Sequence, residues 1–216
     1  MKTTFCAIIL SFMFSMAYAN GPFEKVMGES IPAIFSAENP ESLQDVINKL
    51  DRVGSVEKDR WEPNYYAAFG YLRMSHMFDE LKDKDKYLDL ALESVAKGEE
   101  VQPNDSELET LRGYILMMKL NADPANRGMQ YSGMVFGSFQ KAIGLNPQNP
   151  RAHFMLGQMQ YGTAQFMGGG NEEACATLAN AVQLYSQETT GDNPFAPSWG
   201  KDNASKTHDK ICKGEE

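Results

Sequence analysis

The chain of 216 residues carries 20 lysines and arginines against 29 aspartates and glutamates, and 42% of its residues are hydrophobic. This is enough apolar material to bury the core of one domain. A field of this sign repels phosphate backbones and anionic lipid surfaces, so nucleic acid and peripheral membrane binding are disfavoured.

The first nineteen residues predict a cleaved export signal. Lys2 precedes an uncharged run from Phe5 to Ala17, and Ala17-Tyr18-Ala19 is the small-x-small pattern accepted by a signal peptidase. The apolar run is too short for the roughly 20 residues that span a bilayer. Cleavage after Ala19 predicts a periplasmic or secreted protein without stable membrane insertion. The 197 residues from 20 to 216 then form one helical domain with a short extension from about residue 190. Losing Lys2 leaves 19 basic against 29 acidic side chains. Cys175 and Cys212 are the two thiols beyond the leader, and an oxidising compartment allows them one disulfide. Their spacing alone leaves bonded and free states open.

Taken in order, apolar residues at helical intervals predict helices near 22–36, 41–57, 62–80, 84–100, 105–121, 130–145, 149–165 and 171–187. Residues 193–197 form a Pro-containing connector, followed by a polar segment able to form a last helix. Asn39-Pro40, Pro63, Asn104-Asp105 and Asn149-Pro150 read as helix starts. Gly168-Gly169-Gly170 reads as a turn with Asn171 as N-cap. The acidic pair Glu172-Glu173 stands where a bound phosphate would need positive potential.

Small and apolar residues recur with a period of about 44. Gly70, Gly113 and Gly157 form one series. Ile47, Ala91 and Val135 form a second, Gly54, Gly98 and Ala142 a third, and Pro103 and Pro147 a shorter fourth. Paired antiparallel helices explain such a pattern, because a small side chain at a crossing lets two backbones approach to about 8 Å.

The segment Ala142-Ile143-Gly144-Leu145-Asn146-Pro147-Gln148-Asn149-Pro150-Arg151-Ala152-His153 resembles the junction between tetratricopeptide repeats. The family's small-residue and proline positions match at Gly157, Ala174 and Ala181, and at Gly113, Phe139, Ala142 and Pro147, with Val135 in place of an alanine. The first unit supplies Gly70, Ala91 and Pro103, with Gly98 for the second alanine. Residues 41 to 187 are covered. The usual unit is about 34 residues, so each one here carries an insertion. The whole is similar to exported tetratricopeptide-like proteins of Gram-negative bacteria. That resemblance implies an all-α fold of helical hairpins wound into a right-handed superhelix, an α-solenoid.

The resemblance also implies a binding groove on the inner helices. The matching positions are Asn64, Ala67, Tyr71 and Met74, then Glu107, Thr110, Tyr114 and Met117, then Arg151, Phe154, Gln158 and Tyr161. Tyrosine and methionine suit adaptable contacts. The expected function is therefore a non-catalytic scaffold or adaptor holding a peptide or partner protein on its concave face, with homo-oligomerisation open to it. The alternative is a small-ligand carrier or transport subunit whose insertions roof the groove into a pocket. No catalytic constellation, metal set or cofactor motif stands out. His76, His153 and His208 are scattered, and carboxylates such as Asp83, Asp85 and Glu93 alternate with lysines as on a solvated helix face.

Overall fold

The computed structural model describes residues 21–189 and 191–214, and the export signal expected over residues 1–19 lies outside them. The helices are α1 (Pro22–Ser36), α2 (Pro40–Val56), α3 (Glu62–Ser75), α4 (Leu81–Val101), α5 (Ser106–Ala122), α6 (Pro124–Leu145), α7 (Pro150–Met167), α8 (Glu172–Gln187) and α9 (Lys201–His208). A π-helical turn, Asp209–Lys213, follows α9. Strands are absent among the described residues.

Helix starts are written in side chains that satisfy the free N–H groups of a first turn. Asn39 accepts from Ser42 N–H at 2.9 Å, Asp105 from Glu107 N–H at 2.8 Å, and Asn149 from Arg151 N–H at 2.9 Å. Asn171 occupies its N-cap position but makes no cap bond there. Its Oδ1 accepts from Gln165 Nε2 at 3.0 Å instead, bracing the turn after α7. Two boundaries differ from expectation. α3 ends at Ser75 rather than 80, with His76 and Met77 N–H closing three-residue turns. α6 starts six residues early because Pro124 sits in its first turn behind the Asp123 cap.

Consecutive helices pack as antiparallel hairpins, α1–α2, α3–α4, α5–α6 and α7–α8. The repeated glycines sit at their crossings. A methyl on Gly113 would come within 2.5 Å of the Phe139 ring on α6, and one on Gly157 within 2.8 Å of Leu178 on α8. Gly70 differs in partner: its methyl would meet Ile47 of α2 at 2.7 Å and Ile34 of α1 at 2.9 Å. The Gly54 and Gly98 series serves the joint between hairpins, facing Asn64 and Leu108 at the start of the next helix. The insertions expected in each unit are absorbed largely as helix, 21 residues in α4 and 22 in α6.

Burial divides into two adjoining clusters, one across α1–α5 and one across α5–α8. The segment after α8 belongs to both. Phe195 is part of the first cluster, Ala204 of the second, and Trp199 packs against each. Cys175 of α8 is bonded to Cys212, with Cα atoms 5.6 Å apart, which closes the pairing left open above. A cross-link over 37 residues contributes about 4 kcal/mol by the loop-entropy relation.

Candidate functional site

α3, α5 and α7, the first helices of their hairpins, touch one another in turn along the stack, and the face they share is covered along much of its length. The C-terminal segment is held there by groups from several helices. Asn193 Nδ2 donates to Glu62 Oε1 at 2.8 Å, and Tyr66 Oη donates to Ala196 O at 3.3 Å. Tyr185 Oη donates to Trp199 O at 3.1 Å. Trp199 Nε1 donates to Tyr65 Oη at 2.7 Å.

Below this strap lies a buried charge cluster. Arg151 Nε donates to Glu107 Oε2 at 2.9 Å, its other arm pairs with Glu188, and Nη1 reaches Trp199 O at 3.5 Å. A guanidinium whose side chain is only 5% exposed must be paired on all sides to offset its desolvation. These contacts tie α5, α7, the end of α8 and the strap together. The phenols of Tyr66 and Tyr185 are pushed up by burial and remain neutral donors.

Gly200 makes the turn from strap to α9 possible. Its φ of +103° lies in the left-handed region, and a Cβ there would sit 2.2 Å from Tyr185 Oη. Only glycine fits that position without displacement.

Between strap and floor a cavity of about 820 Å³ remains open. Its floor is Phe69, Leu72, Arg73, His76 and Met77 of α3 and its margin, Tyr114 of α5, and Phe154, Met155 and Gln158 of α7. Phe35 of α1 forms one wall, and residues 198–203 with Thr207 form the roof. Four rings run through it in sequence: Phe35 to Phe69 at 5.2 Å, Phe69 to Trp199 at 5.4 Å, and Trp199 to Tyr114 at 5.9 Å between centroids. Successive rings are tilted by 51°, 48° and 34°, so they form a contiguous but faceted apolar lining. Arg73 and Lys201 give the rim positive charge, and Asp202 lies among them. Arg73 also donates to Ile34 O and Ala37 O, fixing the end of α1 beside the cavity. Partial desolvation and the Lys84 and Arg73 charges push the imidazole of His76 below its usual range, although the residue as a whole is exposed.

The sequence-derived groove positions divide sharply. Tyr114, Phe154 and Gln158 line the cavity. Asn64, Ala67, Met74, Thr110 and Met117 are buried in the fold. Tyr71 points to α2, donating to Asp51 Oδ2 at 3.3 Å, and Arg151 and Glu107 form the charge cluster under the strap. Tyr161 lies outside the cavity and is half-buried. The roof is the C-terminal segment, whereas the sequence reading placed it in the insertions; no residue of α4 or α6 lines the cavity. Phe35, Phe69, His76 and Trp199 were missed. The aromatic-glycine pair Phe69-Gly70 and the late Trp199-Gly200 were visible, but nothing in the linear order says that they meet.

No protein-family model matches the chain, and no curated protein matches it. Solved structures do. The HusA haemophore from Porphyromonas gingivalis superposes with a TM-score of 0.78 at 25% identity, over 92% of this chain and 96% of that one. TTC0263, a thermophilic tetratricopeptide-repeat protein of Thermus thermophilus, gives a TM-score of 0.55 at 15% identity over 79% and 87%. This chain has the tetratricopeptide-type helical-repeat fold. Among the described residues, no helix is long and apolar enough to cross a membrane, and no cluster of three histidine, cysteine or acidic side chains is placed to hold a metal ion.

Proposed function

We propose that this protein is an exported carrier that holds a flat, largely apolar, carboxylate-bearing molecule of the tetrapyrrole class between the floor of α3, α5 and α7 and the C-terminal strap. The observation that carries this reading is the unbroken series Phe35–Phe69–Trp199–Tyr114 inside one open cavity. A volume near 820 Å³ suits a cofactor-sized guest. Arg73 and Lys201 stand at the rim where acid groups of a guest would emerge, and they offset locally the acidic field of the whole chain. The similarity to a haemophore over nearly the full length supports the same class of cargo. Such a molecule is freight rather than a resident cofactor. Binding, not catalysis, is the activity that these residues serve.

The test is titration of the purified mature protein with haemin and with metal-free protoporphyrin, followed by visible absorbance and by tryptophan fluorescence. Saturable binding with a dissociation constant of about 1 μM or tighter is expected, equivalent to roughly −8 kcal/mol. Phe69→Ala should weaken it by about tenfold, the effect of losing one aromatic contact of near 1.4 kcal/mol. Absence of saturation with both compounds would sink the reading.

A second reading, of a partner protein, is favoured by a different region. Met129 is 99% exposed near the start of α6, and Phe166 is 85% exposed near the end of α7 with Met167 beside it. Because α6 and α7 are consecutive antiparallel helices, the start of α6 and the end of α7 lie along the same edge of the stack. An apolar tip of this kind fits a protein contact outside the covered groove. Crosslinking in the native envelope, compared with Phe166→Ser, tests it: loss of a specific adduct supports the contact, and an unchanged adduct removes it.

A further inference from the structure

We infer that His76 is a metal-meeting side chain of the cavity, so that the protein distinguishes a metallated tetrapyrrole from the metal-free ring; this rests on the carrier reading above.

The argument begins with the stripe on α3. Phe69, Leu72, Arg73 and His76 are spaced i, i+3, i+4 and i+7, which places them on one face of the helix and its capping residue. Seven residues at 1.5 Å rise extend about 10 Å. A ring seated against this face lies on the side of α3 that carries both Phe69 and His76. Imidazole is a common axial ligand of haem iron.

Met77, Met155 and Tyr114 also line the cavity, but among the histidines and cysteines of the described residues His76 alone does so. His153 lies off the cavity with Nε2 against Pro147 O at 3.0 Å and Nδ1 against Asn180 at 3.2 Å. His208 is engaged by Asp209 at 3.1 Å. The two cysteines of the fold are consumed in the disulfide. His76 lines the cavity, and its ring nitrogens have no hydrogen-bond partner among the described residues. The fold is therefore indifferent to which contacts that imidazole makes. Arg73, one turn earlier on the same face, brings a positive charge to the cavity lining while its terminal nitrogens donate to Ile34 O and Ala37 O.

The experiment compares wild type, His76→Ala and Tyr114→Phe, each titrated with ferric haem and with protoporphyrin. Wild type should show the charge-transfer and Soret features of imidazole-ligated iron. His76→Ala should lose those features and about tenfold in haem affinity, close to 1.4 kcal/mol. It should keep protoporphyrin affinity within about twofold, and added imidazole should restore the ligated spectrum. A wild-type haem spectrum in His76→Ala overturns the inference, as does loss of the ligated spectrum in Tyr114→Phe alone. An equal loss of haem and protoporphyrin in His76→Ala also overturns it, since that marks a packing role. Failure of wild type to bind either compound is a separate result and strikes the carrier reading itself.

Discussion

The floor and the roof of the cavity are built by different means. The floor comes from α3, α5 and α7, whose positions are fixed by glycines at helix crossings and by two broad apolar clusters. The roof is a non-helical segment with a turn at Pro194 and Phe195, followed by one short helix, whose only buried apolar residues are Phe195, Pro197 and Ala204. It is held by directional bonds: four hydrogen bonds from tyrosine, asparagine and tryptophan side chains, the Arg151 cluster, and the disulfide. A close-packed floor responds to volume, whereas a bonded roof responds to the loss of single groups. That difference can be broken or sharpened by mutation.

The largest effect is expected at the roof's covalent anchor. Cys212→Ser should lower stability by about 4 kcal/mol in urea unfolding. Amide exchange should accelerate over 191–214 more than over α3, α5 and α7; uniform acceleration would show that roof and floor unfold as one unit. Next is the floor: Gly113→Val drives a side chain into Phe139 and should cost about 3 kcal/mol by overpacking, measured in the same assay. A cost below about 1 kcal/mol would mean that α5 and α6 can slide apart freely.

Trp199→Phe keeps a ring in the series but deletes the donor to Tyr65. A loss of about 1 kcal/mol is expected, because the Tyr65 hydroxyl is left buried. The smallest effect should lie outside both halves, at Asp85, which joins α4 to Lys119 of α5 and Arg127 of α6. The hydrogen bond from Arg127, opposed by burial and aided by the Lys119 charge, holds its carboxyl below the usual range. The depressed value means that the folded chain favours the ionised form. The pair's stabilisation is thus complete above the ordinary carboxylate range and is lost as pH falls through the lowered value. Asp85→Asn should cost less than about 1 kcal/mol near neutral pH and flatten that acid limb of the stability profile.

How far the sequence reaches follows the same division. The hairpin stack was legible because its physics is periodic: Gly113 and Gly157 mark crossings, and Asn39, Asp105 and Asn149 write their own helix starts. Tyr114, Phe154 and Gln158, named from the sequence as groove positions, line the cavity. Tyr71 shows the limit of that rule. It shares the face by register, yet α3 is enclosed by α1 and α2 on one side and the strap on the other, so its hydroxyl finds Asp51. Trp199 stands outside the period; its partners Tyr65, Phe69 and Tyr114 lie between 85 and 134 residues away, which no local pattern reports. His76 was noticed as a residue but not as a cavity residue, because the end of α3 at Ser75 is set by the hairpin turn rather than by a residue type.

The strap covers the face shared by α3, α5 and α7, so part of the chain itself occupies that face. On the carrier reading proposed above, selectivity would be altered by editing residues Asn193 to Asn203, while α1 to α8 stay unchanged. A library randomised at Ser198, Lys201, Asp202 and Asn203 would keep Trp199, Gly200 and the Tyr65 contact intact and yield variants that differ in guest without differing in scaffold.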